Sequence, residues 1–167
     1  MAQAAESATA TPLSGVRLAG QGVLRFLGFE IYRARLWVQP GFDADNYGAQ
    51  PLALELTYHR DFTAEAIAKR SLEEMRRVGS FTPQQATRWQ QALQAALPDV
   101  KSGDRLLGIH QPGVGAVFKM AGRVVGEVPD AEFSRLFFGI WLSPQTSEPG
   151  LRQALIAATR TAGQGQP

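Results

Sequence analysis

The chain of 167 residues contains no cysteine. This absence excludes disulfide frameworks, thiolate zinc sites and cysteine nucleophiles. Histidine is scarce: His59 and His110 lie far apart in sequence, and neither has a second ligand at a spacing that metal sites use. Both are therefore expected to be strand histidines held by local hydrogen bonds. No serine lies in a G-x-S-x-G elbow. The residues alone predict no metal site, no cofactor and no catalytic residue.

Long apolar runs and blocks of like charge are also missing. No apolar stretch approaches the length of a membrane span, so no transmembrane helix is expected. The formal net charge is only +2, with the basic residues scattered, so no nucleic-acid partner is indicated. Gly20-x-Gly22 lacks the third glycine of a dinucleotide-binding turn. The 44% of hydrophobic residues is typical of one globular domain, and the sequence does not indicate an oligomeric state.

The chain ends are polar and rich in small residues. We expect residues 1–14 to be disordered, 15–158 to form the domain and 159–167 to be a frayed tail. Ala2-Gln-Ala-Ala5 resembles the small-residue end of a secretory signal without its apolar region. This pattern predicts a periplasmic or secreted protein whose signal has been removed. A cytoplasmic protein with a native flexible N-terminus is the alternative.

The hydrophobic periodicity predicts strands, two helices, further strands and two more helices. Residues 16–26 and 28–38 favour extended structure, followed by a loop over 43–48 and a strand at 52–58. Asp61 or Thr63 is predicted to cap a helix that runs to about 78, and Thr82 is predicted to cap one that runs to about 97. Strands follow at 105–110, 115–120 and 123–128, then a helix capped by Asp130 and a last helix to about 158. This order favours an α+β fold with an antiparallel sheet.

One arginine, Arg25, stands inside an otherwise apolar predicted strand. Arg25 lies within the run Val23 to Leu27, and a buried guanidinium needs a carboxylate, a carbonyl or a bound anion. A salt bridge to Glu30 or Glu55, or exposure on an edge strand, is the structural alternative. Tyr32 and Tyr58 are candidates to place hydroxyls near Arg25, or are core tyrosines with one hydrated end. Acidic Glu73-Glu74 is expected on the solvent side of its helix.

Several motifs occur in a characteristic order. They are G-x-G-x-x-R at 20–25, IYRARLW at 31–37, PDVKSGD at 98–104, G-x-x-x-G at 122–126, Phe133, and FGIWL at 138–142. In this order the chain resembles the bacterial chalcone isomerase-like family over residues 15–158. The resemblance implies an open-faced β-sandwich, with helices packed on one face of an antiparallel sheet. It also implies a cleft between the two layers.

The resemblance implies two kinds of site. Plant chalcone isomerases use an early-strand arginine with threonine, tyrosine and asparagine to close a flavanone ring. A related branch binds fatty acids through arginine and tyrosine. Arg25 best matches the arginine, but the threonine position falls near Tyr32, and no tyrosine–asparagine pair can be matched.

These departures favour a non-catalytic domain without catalytic residues or a cofactor. Its ligand would be a small apolar carboxylate, such as a fatty acid, contacted by Arg25, Tyr32 and Tyr58. Two alternatives stay open: a lyase or isomerase of chalcone isomerase type, and a cell-envelope interaction module without a small ligand.

Overall fold

Six antiparallel strands form one sheet, and their spatial order follows the chain from β1 to β6. A computed structural model describes residues 13–159. The strands are β1 (Arg17–Phe26), β2 (Phe29–Val38), β3 (Leu52–Tyr58), β4 (Arg105–Gln111), β5 (Gly115–Met120) and β6 (Arg123–Val128). Because each strand pairs with its sequence neighbour, β1 and β6 are the two edges of this sheet.

Four α-helices accompany the sheet. They are α1 (Ala64–Val78), α2 (Pro83–Ala96), α3 (Ala131–Leu142) and α4 (Pro149–Leu155). A 3-10 helix, Ala44–Ala49, forms where a loop was expected, and α4 is three residues shorter than predicted. The α+β, open-faced sandwich with an antiparallel sheet and helices on one face is confirmed.

The helix starts follow the local capping chemistry. The Thr63 hydroxyl accepts the amide of Ala66, and the Thr82 hydroxyl accepts that of Gln85. The Asp130 carboxylate accepts the amide of Phe133 at 3.0 Å. The caps predicted at Thr82 and Asp130 are confirmed, and of the two candidates for the first helix Thr63 is the cap, whereas Asp61 accepts the amide of Ser102. Each cap satisfies an amide that has no partner within its own helix.

The core lies between the helices and one face of the sheet. Period-two alternation places Ala34, Leu36 and Val38 of β2 on this face, where they are buried. The corresponding residues of β3 are buried beside them: Leu52, Leu54, Leu56 and Tyr58. Helix α3 crosses β4 and β5 and carries four buried aromatic rings, more than any other element in the described residues, so it forms the centre of the helical layer.

The two glycines of the G-x-G motif allow α4 to lie against β1. A Cβ atom on Gly20 would lie 2.1 Å from the carbonyl oxygen of Ala154, and one on Gly22 would lie 2.7 Å from Leu151 Cδ1. The Gly20 distance excludes a larger residue because it is to backbone, whereas the Gly22 contact is with the end of a side chain that can shift. The motif therefore serves close packing of helix and strand rather than a phosphate group.

None of the helices within residues 13–159 is long and apolar enough to cross a membrane. The predicted disordered start and frayed end lie outside the described residues, except for positions 13, 14 and 159.

Candidate functional site

A cavity of about 490 Å³ separates the sheet from the helices near the β1–β2 end. Strands β1 to β3 form its floor, while α1, α3 and the start of α4 form its walls. Most of the lining side chains are apolar: Leu24, Phe26, Ile31, Leu56, Phe62, Ala66, Ile67, Leu97, Leu106, Phe137, Ile140, Trp141 and Leu151. This size and character are typical of small-molecule pockets.

Tyr32 and Tyr58 lie side by side on the cavity floor. They are direct partners in the β2–β3 register, so both side chains point to the helical layer. Their rings meet edge to face with centroids 5.8 Å apart. Both tyrosines line the cavity, as does Arg25, so the structure brings the three candidate residues to one site.

The two hydroxyl groups differ in their hydrogen bonds. Trp141 Nε1 donates to the Tyr32 hydroxyl at 2.9 Å, which leaves the phenolic proton of Tyr32 free to donate. Among residues 13–159, no group hydrogen-bonds the Tyr58 hydroxyl, although Tyr58 is only 4% exposed. Burial raises the pKa of both tyrosines, so both stay protonated at neutral pH. The pair therefore offers two donors to an acceptor in the cavity.

Arg25 lies at the mouth rather than inside the cavity. Its side chain is 61% exposed, and its guanidinium pairs with Glu30 at 3.1 Å. Our expectation of a largely buried Arg25 was wrong because β1 is an edge strand. An irregularity between Leu24 and Arg25 also shifts the strand register there. The structural alternative, a salt bridge to Glu30, is the observed one.

A second ion pair borders the cavity on the helical side. Arg70 Nη2 lies 3.0 Å from Glu74 Oε2, and the Ser147 hydroxyl donates to Glu74 Oε1 at 2.5 Å. Glu74 is only 13% exposed, so the prediction of a solvent-facing Glu74 was wrong. A signal was present in the sequence: Glu74 follows the lining residues Ile67 and Ser71 at helical spacing.

Trp141 is a further residue whose role the sequence reasoning did not identify. Its ring lines the cavity while its indole nitrogen holds the Tyr32 hydroxyl in place. The rings of α3 diverge: Phe137 and Trp141 face the cavity, whereas Phe138 packs on His110. Nothing in the local sequence pairs Tyr32 with Trp141.

The two histidines lie outside this cavity. His110 is a hydrogen-bonded strand histidine, as expected, whereas His59 lies just beyond the end of β3. His110 contacts the Ser134 hydroxyl through Nδ1 at 2.6 Å and the Gly48 carbonyl through Nε2 at 2.9 Å. Burial lowers the pKa of His110, so the ring is neutral, with Nε2 donating to Gly48. His59 Nδ1 lies 3.2 Å from Glu30. Within residues 13–159, no cluster of three side chains is arranged to hold a metal ion.

Comparisons with known proteins agree with this architecture. Residues 3–157 match the family model described as chalcone isomerase-like. An uncharacterised protein of Haemophilus influenzae is 26% identical over 133 residues, which are 80% of this chain and 64% of that protein. The chain thus spans less than two thirds of that relative.

A solved structure shares the fold. The crystal structure of an Arabidopsis thaliana fatty-acid binding protein superimposes with a TM-score of 0.70, covering 92% of this chain and 93% of that one. The sequence identity is 13%, so the likeness concerns the fold.

Proposed function

The chain belongs to the chalcone isomerase-like family, and from that premise we propose that it is a non-catalytic binding protein for a small amphipathic, fatty-acid-like ligand. The observation that carries the proposal is an apolar cavity whose floor holds the Tyr58 hydroxyl, which has no hydrogen-bond partner within residues 13–159. The fold neighbour is itself described as a fatty-acid binding protein, which supports a ligand-binding role.

The apolar chain of the ligand fills the space between β3, α1 and α3. Leu56, Ile67 and Phe137 line this space from the three elements. Each methylene group moved from water into such surroundings contributes about 0.8 kcal/mol. Most of the affinity therefore comes from the length of chain that the cavity accepts.

The polar head lies at the tyrosine pair. Tyr58 donates one hydrogen bond and Tyr32 the other, because neither phenolic proton is used by the protein itself. The oxygen atom of a carboxylate, a carboxylic acid or an ester can accept both hydrogen bonds in the same geometry. The Tyr58 oxygen is open to the cavity rather than sealed in the core, so a ligand oxygen can reach it.

Arg25 assists from the mouth. Before the guanidinium can pair with a ligand carboxylate, it must break its ion pair with Glu30 or bind both carboxylates at once. An exposed ion pair contributes at most about 1 kcal/mol, so this exchange is feasible. We assign Arg25 a secondary contact and the two tyrosines the main polar contacts.

Titration calorimetry with dodecanoate tests the proposal, preceded by native mass spectrometry of protein purified without detergent. We expect saturable binding with a negative heat-capacity change, since apolar surface is buried. Arg25→Ala should weaken binding by less than about tenfold, whereas a directly paired guanidinium would be worth about ten- to a hundredfold. If the protein binds neither dodecanoate nor dodecanol nor methyl dodecanoate, the proposal is refuted.

A further inference from the structure

Three large apolar side chains are exposed together at the tip of the β1–β2 hairpin. Phe26 is 62% exposed, Leu27 80% and Phe29 56%. Phe26 also lines the mouth of the cavity. The exposed apolar tip therefore adjoins the entrance to the proposed binding site.

The backbone at this tip makes the leucine unexpected. Phe26 pairs with Phe29, so Leu27 and Gly28 form a two-residue turn, with φ of 52° and 83°. Such a type I′ turn favours asparagine and glycine, and a branched apolar residue with positive φ is strained. The β5–β6 hairpin has the same turn with a small residue, Ala121, before Gly122. The turn itself does not require leucine, and Leu27 gains little burial in return.

Cationic groups flank the apolar tip. The Arg60 guanidinium lies over the Phe29 ring, 4.5 Å from its centre, and Arg25 extends into solvent beside Phe26. Of the neighbouring acids, Glu30 is engaged by Arg25 and His59, while Asp61 accepts the amide of Ser102. Apolar side chains at a tip with arginines behind them match the layered chemistry of a bilayer containing anionic phospholipid.

We propose that the β1–β2 hairpin tip inserts into the surface of a phospholipid bilayer and brings the cavity mouth to the level of the head groups. Leu27 and Phe29 enter the boundary between head groups and chains, while Arg25 and Arg60 remain at the phosphate level. A projecting tip penetrates a fluid surface more readily than it fills a protein groove. Ligand uptake from the bilayer rests on the proposed function, whereas the docking step does not.

Vesicle flotation without added ligand tests the docking step. The probe is vesicles of phosphatidylcholine and phosphatidylglycerol, with pure phosphatidylcholine vesicles for comparison. The test variant is Leu27→Asn/Phe29→Ser, which changes two residues that do not line the cavity. The matched control is Val114→Ser/Val124→Ser, because both valines are more than half exposed but lie at the β4–β5 turn and on β6.

We expect the wild-type chain to float with the mixed vesicles and less with pure phosphatidylcholine. The Leu27→Asn/Phe29→Ser variant should lose about ten- to a hundredfold in partitioning, and the valine variant should match wild type. Absence of wild-type binding, unchanged binding of the tip variant, or an equal loss in the valine variant would each overturn the proposal.

Dodecanoate affinity measured without vesicles separates this proposal from the proposed function. All three proteins should bind dodecanoate equally, because none of the four substituted residues lines the cavity. Vesicle binding without any dodecanoate binding would leave the docking step standing and remove the ligand. Normal dodecanoate binding without vesicle binding would support the proposed ligand and refute the docking step.

Discussion

Removing the Tyr58 hydroxyl should lower the affinity for a ligand and leave the stability of the protein unchanged, if Tyr58 serves that ligand. Tyr58→Phe deletes a donor that no group within residues 13–159 accepts from. We expect dodecanoate to bind about two- to tenfold more weakly, as for one hydrogen bond worth about 0.5–1.5 kcal/mol. The ligand-free protein should keep its free energy of unfolding to within about 0.5 kcal/mol, since the substitution removes no hydrogen bond within residues 13–159.

Tyr47→Phe is the matched control for this prediction. The Tyr47 hydroxyl donates to the Arg135 carbonyl at 2.8 Å and does not line the cavity. This variant should lose about 1 kcal/mol of unfolding free energy and keep its affinity for dodecanoate. Calorimetric titration and urea unfolding of both variants measure the four quantities. If Tyr58→Phe is destabilised like Tyr47→Phe while its affinity is unchanged, the hydroxyl is structural and our assignment is refuted.

Further perturbations test the cavity, the turn, the buried histidine and the missing catalysis. Ile67→Trp should fill the cavity and abolish dodecanoate binding, whereas Ile67→Val should retain it; tight binding by the tryptophan variant would place the ligand elsewhere. Leu27→Asn alone should raise the free energy of unfolding by about 1 kcal/mol through relief of backbone strain, measured by urea denaturation; a loss would show that Leu27 is packed after all. Burial lowers the pKa of His110, so on acidification the unfolded chain binds the proton before the folded protein does. The free energy of unfolding that is present above about pH 6.5 should therefore fall as the pH decreases. This fall should be less steep in His110→Gln. An equal slope in both proteins would assign the loss to other groups. A spectroscopic assay should detect no ring closure of a chalcone, and closure that disappears in Arg25→Ala would establish the enzyme alternative.

Local rules in the sequence were sufficient for the elements and for part of the site. Period-two alternation placed Tyr32 with the buried face of β2, and the same rule placed Tyr58 with that of β3. Capping chemistry located the helix starts at Thr63, Thr82 and Asp130. These features depend on residues within one or two turns of each other, so a single sequence contains the information. The family motifs then identified the architecture that joins them.

Only the tertiary structure decided which of these residues are buried and what they contact. Arg25 lies in an apolar run, yet it is exposed because β1 became the edge of the sheet. Glu74 lies in a charged run, yet it is mostly buried because its helix face meets Ser147 and the cavity. The bond from Trp141 to Tyr32 joins residues 109 positions apart. Burial and long-range contacts depend on how separate elements pack, and no local pattern encodes that packing.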